Sequence, residues 1–202
     1  MNYTNNYNNT NKKIYKFENS LNVGNEGEDK VKSFLLSLDN VEKVESVQEI
    51  KKYQEEDIDF IVHFKNNNKV TIEVKTDTYT SGNLYYETKS CIEKNTIGCL
   101  EKTKADYIFY YFNKYDRLYI LKTNLFRKWV QNEIKKFTDN PNNSKLNKKQ
   151  VFNRRYSKDN NNALYTSEGY TIPLVYLEEA LKNTKIYKRF DSLSKNKKNN
   201  VA

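Results

Sequence analysis

The chain has 202 residues, 37% of them hydrophobic, a formal net charge of +9, one His and two Cys. That length suits one domain with a buried core, and no run approaches the roughly 20 apolar residues of a membrane span. So few soft ligands exclude a zinc site, which leaves oxygen ligands for any bound metal.

Cys91 and Cys99 have no CxxC spacing and read as reduced thiols. The opening residues Met1, Asn2, Tyr3 and Thr4 lack the basic-then-apolar order of a signal peptide. Both features predict a cytoplasmic protein with no membrane partner. The positive charge points to a polyanion, although a chain rich in Lys, Asn, Ile and Tyr acquires such a bias from AT-rich coding alone. Its distribution is more telling. From Glu26 to Asp59 there are eleven acids and five bases, so that stretch carries −6 and the remainder +15. An acidic pocket in a basic body suits a metal-dependent nucleic-acid enzyme; solvated faces on a lysine-rich protein are the other reading.

Residues 1–20 are rich in Asn and Tyr without periodicity and read as a tail. Residues 21–190 read as one domain, and 191–202 as a basic tail. The ordered part is predicted to begin with a helix over about 26–38, where Val31, Phe34, Leu35 and Leu38 form one apolar stripe. Glu28 lies three residues before Val31 and seven before Leu35, so it points with the stripe and needs a partner. Alternatively, Asn25 caps the helix and Glu28 closes a capping box.

A strand over about 44–50 precedes two alternating runs, 57–64 and 69–75, separated by Asn66, Asn67 and Asn68 with flanking lysines. Every second side chain of a strand shares a face. Asp59, Ile61 and His63 therefore point one way on the first strand, and Thr71, Glu73 and Lys75 on the second. With the three asparagines as the hairpin loop, Lys65 faces Lys69, Asp59 lies opposite Lys75, and Glu73 is one diagonal away; a bulge would shift that register. Two carboxylates and an ammonium then converge where a divalent metal and an attacking water would fit. Asp57 shares the Asp59 face and would be the ligand if the hairpin slipped by two residues, but it lies farther from Glu73; a lone strand histidine such as His63 is usually structural.

Further along, 83–88 reads as a strand, and 107–112 as a buried strand paired with 117–121. Thr123 is expected to cap a helix containing Leu125, Phe126, Trp129, Val130 and Phe137, and 169–174 reads as a short strand entering a helix through Leu181. Between them, the polar insertion 140–162 carries Lys148, Lys149, Arg154, Arg155 and Lys158. It reads as a long loop or a short helix that either wraps a phosphate backbone or is a tolerated insertion. The order of elements predicts an α/β fold.

Glu28 on a first helix, Asp59 on a strand, and Glu73, Val74 and Lys75 as Glu-x-Lys on the next strand resemble the PD-(D/E)xK nuclease superfamily. The resemblance covers about residues 24–122 and, more loosely, the chain to 181. Ile58 stands where that pattern often has proline. The resemblance implies a restriction-endonuclease-like fold, a mixed central sheet flanked by helices with an αβββαβ core. It also implies DNA as partner, Mg²⁺ or Mn²⁺ as cofactor, and a homodimer able to cut both strands. Asp59, Glu73 and the Val74 carbonyl would be metal ligands, Lys75 would orient the attacking water, and Glu28 would bind a second metal or a water. Asn83 and Glu87 look like the accessory polar pair of phage-type members. A lysine partly withdrawn from water is expected to have a lowered pKa. The alternative is a non-catalytic nucleic-acid- or protein-binding factor on the same fold. A ligase-type reading of Lys75, Thr76 and Asp77 fails because Thr78 stands where that motif needs glycine.

Overall fold

The computed structural model describes residues 14–155 and 163–193. In chain order the elements are β1 (Ile14–Lys16), α1 (Phe17–Leu36), β2 (Val41–Ser46), α2 (Lys51–Glu55), β3 (Phe60–Phe64), β4 (Lys69–Asp77), β5 (Asn83–Cys91), β6 (Thr96–Ile97), α3 (Cys99–Lys102), β7 (Tyr107–Phe112), β8 (Arg117–Lys122), α4 (Thr123–Asp139), β9 (Asn147–Arg155), β10 (Ala163–Pro173), α5 (Leu174–Leu181) and β11 (Tyr187–Asp191). The fold is mixed α/β. A six-stranded sheet runs β11-β8-β7-β4-β3-β2, and a five-stranded sheet runs β1-β9-β10-β5-β6. In the first sheet β4 and β7 are parallel and the other neighbours antiparallel. In the second, β1 and β9 are parallel.

The six-stranded sheet is buried on both faces, which is why β7 reads as an unbroken apolar run. One face carries Phe60, Val62, Ile72, Val74, Phe109 and Tyr111 and packs on the α1 stripe of Val31, Phe34 and Leu35. The opposite face, with Ile108, Tyr110, Phe112, Tyr119 and Leu121, packs on β5, β10 and the helices α3, α4 and α5. No helix among the described residues is long and apolar enough to cross a membrane.

Several expected boundaries need correction. α1 starts at Phe17 rather than Glu26, because its Asn-rich opening turns carry little apolar periodicity and follow directly on β1. Asn25 is therefore inside the helix, and Glu28 closes no capping box. The first sheet-edge strand is β2, over Val41–Ser46 rather than 44–50. Thr123 is the first residue of α4 and supplies no side-chain cap; the capping position is Lys122. The described part of the insertion at 140–162 forms neither a long loop nor a helix near 148–155. It contains β9, whose backbone is held by β1 and β10 and whose residues 147–150 are exposed, so it lacks the buried face that would mark a strand. Past β11, Leu193 is buried against the α1 side of the sheet.

Candidate active site

The β3–β4 hairpin turns through Lys65, Asn66 and Asn67. Asn67 takes the left-handed conformation (φ 65°), the Asn67 amide donates to the Phe64 carbonyl at 2.9 Å, and the Asn68 amide donates to Asn66 Oδ1 at 3.1 Å. Asparagine tolerates that backbone, so the turn closes one residue earlier than a loop of three asparagines. His63 consequently pairs with Lys69, and Phe60 with Ile72. This corrects the expected register. Continued by one residue, it sets Asp59 beside Glu73 rather than Lys75, and Lys75 becomes the diagonal neighbour.

The regular ladder ends there. The Asp59 amide donates to the Ile72 carbonyl (2.9 Å), the Val47 amide donates to the Asp59 carbonyl (2.9 Å), and the Val74 amide donates to Asp59 Oδ2 (2.7 Å). A carboxylate thus takes the β4 amide that a backbone carbonyl would otherwise accept. The chain is diverted by Asp57, which has φ 48°, and by Ile58, buried with Val47, Ile61 and Ala105. Asp57 itself is held by Lys102, Nζ to Oδ1 at 2.9 Å, which ties it away from a ligand role. His63 pairs with Glu45 at the far end of β3, at 3.3 Å.

Glu73 is 8% exposed. The Asp59 carboxyl lies close enough that each group shifts the other's ionisation. Burial, then Asp59 and Asp57, pushes Glu73 well above the ordinary carboxylate range. Burial also raises Asp59, against the Val74 amide that lowers it. Two neighbouring carboxyls in such a place hold either a proton or a cation between them. Glu28 is raised to about 7, first by burial and then by Asp59, offset by the Gln48 side chain beside it. Gly27 makes that approach possible: it lies against Thr76, where any side chain would collide.

Lys75 departs from expectation. Its pKa is raised, first by the Cys99 sulfur and then by Glu87, Glu73 and Asp77, against the burial that would lower it. Burial pushes the Cys99 thiol up to about 12, so at neutral pH the charged neighbours of Lys75 are carboxylates. Those carboxylates favour the charged form of Lys75.

Of the accessory pair, Glu87 is brought to Lys75, whereas the Asn83 amide donates to the Ser81 carbonyl at 3.1 Å. Lys148 forms an ion pair with Glu168 at 3.0 Å, and Lys149 lies over the Tyr79 ring. Arg154 and Arg155 occupy β9 positions paired with Leu164 and Ala163; their side chains, and all of Lys158, lie outside the described residues.

Sequence reasoning missed Asp77. It shares the Glu73 and Lys75 face of β4, is 8% exposed, and accepts from Tyr110 OH (3.0 Å) and the Tyr79 amide (2.7 Å). Tyr110 OH in turn accepts from the Tyr85 amide (3.2 Å). The period-two alternation that found Glu73 and Lys75 reaches Asp77 one step later.

The chain matches no protein-family model, no curated protein and no solved structure. Its donor set nonetheless has a definite chemistry. Among the described residues, no three Asp, Glu, His or Cys side chains form a ready metal-holding group. The core of the site is two carboxyls, with Glu28 beyond them. The Val74 carbonyl leaves β4 on the same side as its amide, toward Asp59. Two hard carboxylates and a carbonyl suit a cation that keeps several waters, as Mg²⁺ and Mn²⁺ do, and do not suit zinc.

Proposed function

We propose that this chain is a divalent-metal-dependent nuclease of the PD-(D/E)xK type, restriction-endonuclease-like in fold, that hydrolyses phosphodiester bonds in DNA. The observation that carries the reading is the placing of Asp59, whose carboxylate accepts from the Val74 amide, beside buried Glu73, with Lys75 next on the same face of β4. The order of α1, three antiparallel strands β2–β4, α3 and β7 parallel to β4 supports it as an αβββαβ core with the β5–β6 hairpin inserted.

In this reading Asp59, Glu73 and the Val74 carbonyl hold Mg²⁺ or Mn²⁺, which when bound polarises the phosphoryl oxygen and acidifies the attacking water. A cation held there would offset the charge that burial disfavours on the two carboxylates. Lys75 offsets negative charge developing on the phosphoryl oxygens; a raised pKa suits that electrostatic task and unsuits it to accepting a proton. Glu28, across from Asp59, orients the attacking water. Glu87 and Asp77 keep Lys75 charged and aimed.

The test is incubation with labelled linear duplex, single-stranded and four-way-junction DNA in Mg²⁺, Mn²⁺ or EDTA. Cleavage of at least one substrate, abolished by EDTA, is expected. Binding without cleavage under either ion would instead favour a non-catalytic nucleic-acid-binding factor.

A further inference from the structure

Two exposed aromatic rings stand at the C-terminal end of the site strand. Tyr79, in the loop between β4 and β5, is 44% exposed, and Tyr115, in the turn between β7 and β8, is 40% exposed. Exposed tyrosines are ordinary, but these two are fixed in place and both carry a cation. The Tyr79 amide is bound by Asp77, two residues along β4 from Lys75. Tyr115 OH donates to the carbonyl of Thr80, the residue after Tyr79, at 2.8 Å, and its ring rests on Phe112 with centroids 6.4 Å apart. One loop and one turn are therefore joined into a single rim of the site.

Lys149 Nζ lies 5.9 Å from the centre of the Tyr79 ring, and the Arg117 guanidinium carbon lies 5.8 Å from that of Tyr115. Lys149 comes from β9, on the other sheet, and its charge is felt at Asp77, so the rim closes over the end of β4. Arg117 is also bonded to Asp191, which holds the guanidinium in place. A ring with a cation over one face offers two complementary contacts to a nucleotide: the exposed part of the ring takes a base, and the cation takes a phosphate oxygen. A paired base in a duplex is already stacked on its neighbours and has no face to offer, so the rim suits unpaired nucleotides.

We propose that Tyr79 and Tyr115, with Lys149 and Arg117, form a stacking platform for unpaired bases of a nucleic-acid strand and lead that strand to Lys75. The inference rests on the nuclease reading for its choice of ligand, and it names the substrate class: DNA with a single-stranded segment, whether a free strand, a flap or an opened junction.

The test is binding of a short single-stranded DNA carrying 2-aminopurine to the full chain in EDTA, where cleavage cannot interfere. Wild-type protein should bind it and change the 2-aminopurine fluorescence, as stacking does. Tyr79→Ala should weaken binding about tenfold or more and lose the fluorescence change with thermal melting unchanged; Tyr115→Ala should weaken binding as much, with some loss of stability from its ties to Thr80 and Phe112. Tyr79→Phe should bind as wild type, because the ring and not the hydroxyl is used. Alanine variants that bind and report like wild type would overturn the platform, as would a wild-type protein that binds duplex but not single strands. Cleavage by wild type in Mg²⁺ or Mn²⁺ is scored separately. Ring-dependent binding with no cleavage would sustain the platform and remove the nuclease reading; cleavage with ring-independent binding would do the reverse.

Discussion

Gly27 of α1 and Thr76 of β4 touch so closely that a Cβ built on Gly27 would stand 1.8 Å from Thr76 Oγ1 and 2.8 Å from its Cβ. Thr76 follows Lys75, and Glu28 follows Gly27, so this one contact sets the distance between the helix carboxylate and the strand site. Gly27→Ala should destabilise the protein by about 1–3 kcal/mol, the usual cost of overpacking, measured by urea denaturation. It should also reduce cleavage more than the lost stability explains, since Glu28 moves with the helix. Adding Thr76→Ala should restore part of both; Thr76 Oγ1 is buried without a hydrogen-bond partner, so its removal costs little.

The stability of the metal-free protein should fall as pH rises from about 5 to 8. Glu28, Asp59 and Glu73 all have folded-state pKa values above their ordinary ones. Each raised carboxyl binds its proton more tightly in the folded chain, so the stability it contributes is complete below the ordinary value and is lost as pH passes through the folded value. For Glu28 that window runs from 4.5 to about 7, and for Glu73 it extends upward from the same start. Carboxylates with lowered values, such as Glu93 at about 2, change the balance only below that range. Thermal melting in EDTA across this range checks the sign, and added Mn²⁺ should flatten the slope. A melting temperature that rises with pH in EDTA would contradict it.

The pattern of strands and of faces was legible because alternation is a local property. The face shared by Glu73 and Lys75 follows from it, as the Val31, Phe34 and Leu35 stripe follows from the equally local helical period. Register was not local in the same way. It depended on which asparagine took the left-handed conformation, and Asn67 did so, one residue short of a loop centred on the asparagines. β9 escaped notice because one partner, β1, is distant in sequence and its early residues face solvent, leaving no apolar alternation to read. The direction of the Lys75 shift was misread because burial was visible in the sequence, whereas Glu87 and Cys99, its partners from β5 and α3, are brought up only by the fold.

Lys75→Ala should cut cleavage by about 10²–10³-fold, the scale for removing one charge-stabilising group, with Mn²⁺ affinity by calorimetry nearly unchanged. Because the ammonium is raised rather than lowered, the wild-type rate should show no ionisation of Lys75 between pH 6 and about 9. A kinetic pKa near neutrality that vanishes in the Lys75→Ala variant would show the lysine acting as a base.

Tyr110→Phe removes the hydroxyl that joins buried Asp77 to the Tyr85 amide. Leaving those groups unsatisfied should cost about 1–3 kcal/mol, read by chemical denaturation. Asp77→Asn keeps the volume and should be milder in stability. It also removes a negative charge beside Lys75 and Lys149, so single-stranded DNA binding should tighten by about a few-fold, checked by anisotropy in EDTA.

The central claim is that Asp59 and Glu73 act together on a divalent cation. Burial pushes the Glu73 carboxyl well up, so Glu73→Gln, which keeps its volume and carries no charge, should leave the fold intact, with equal or higher stability at pH 8. The decisive measurement is single-turnover cleavage of labelled branched DNA in Mg²⁺ by wild-type and Glu73→Gln protein side by side. The account predicts cleavage by the wild type, stopped by EDTA, and none above background by the folded variant. Equal cleavage by both proteins would contradict it.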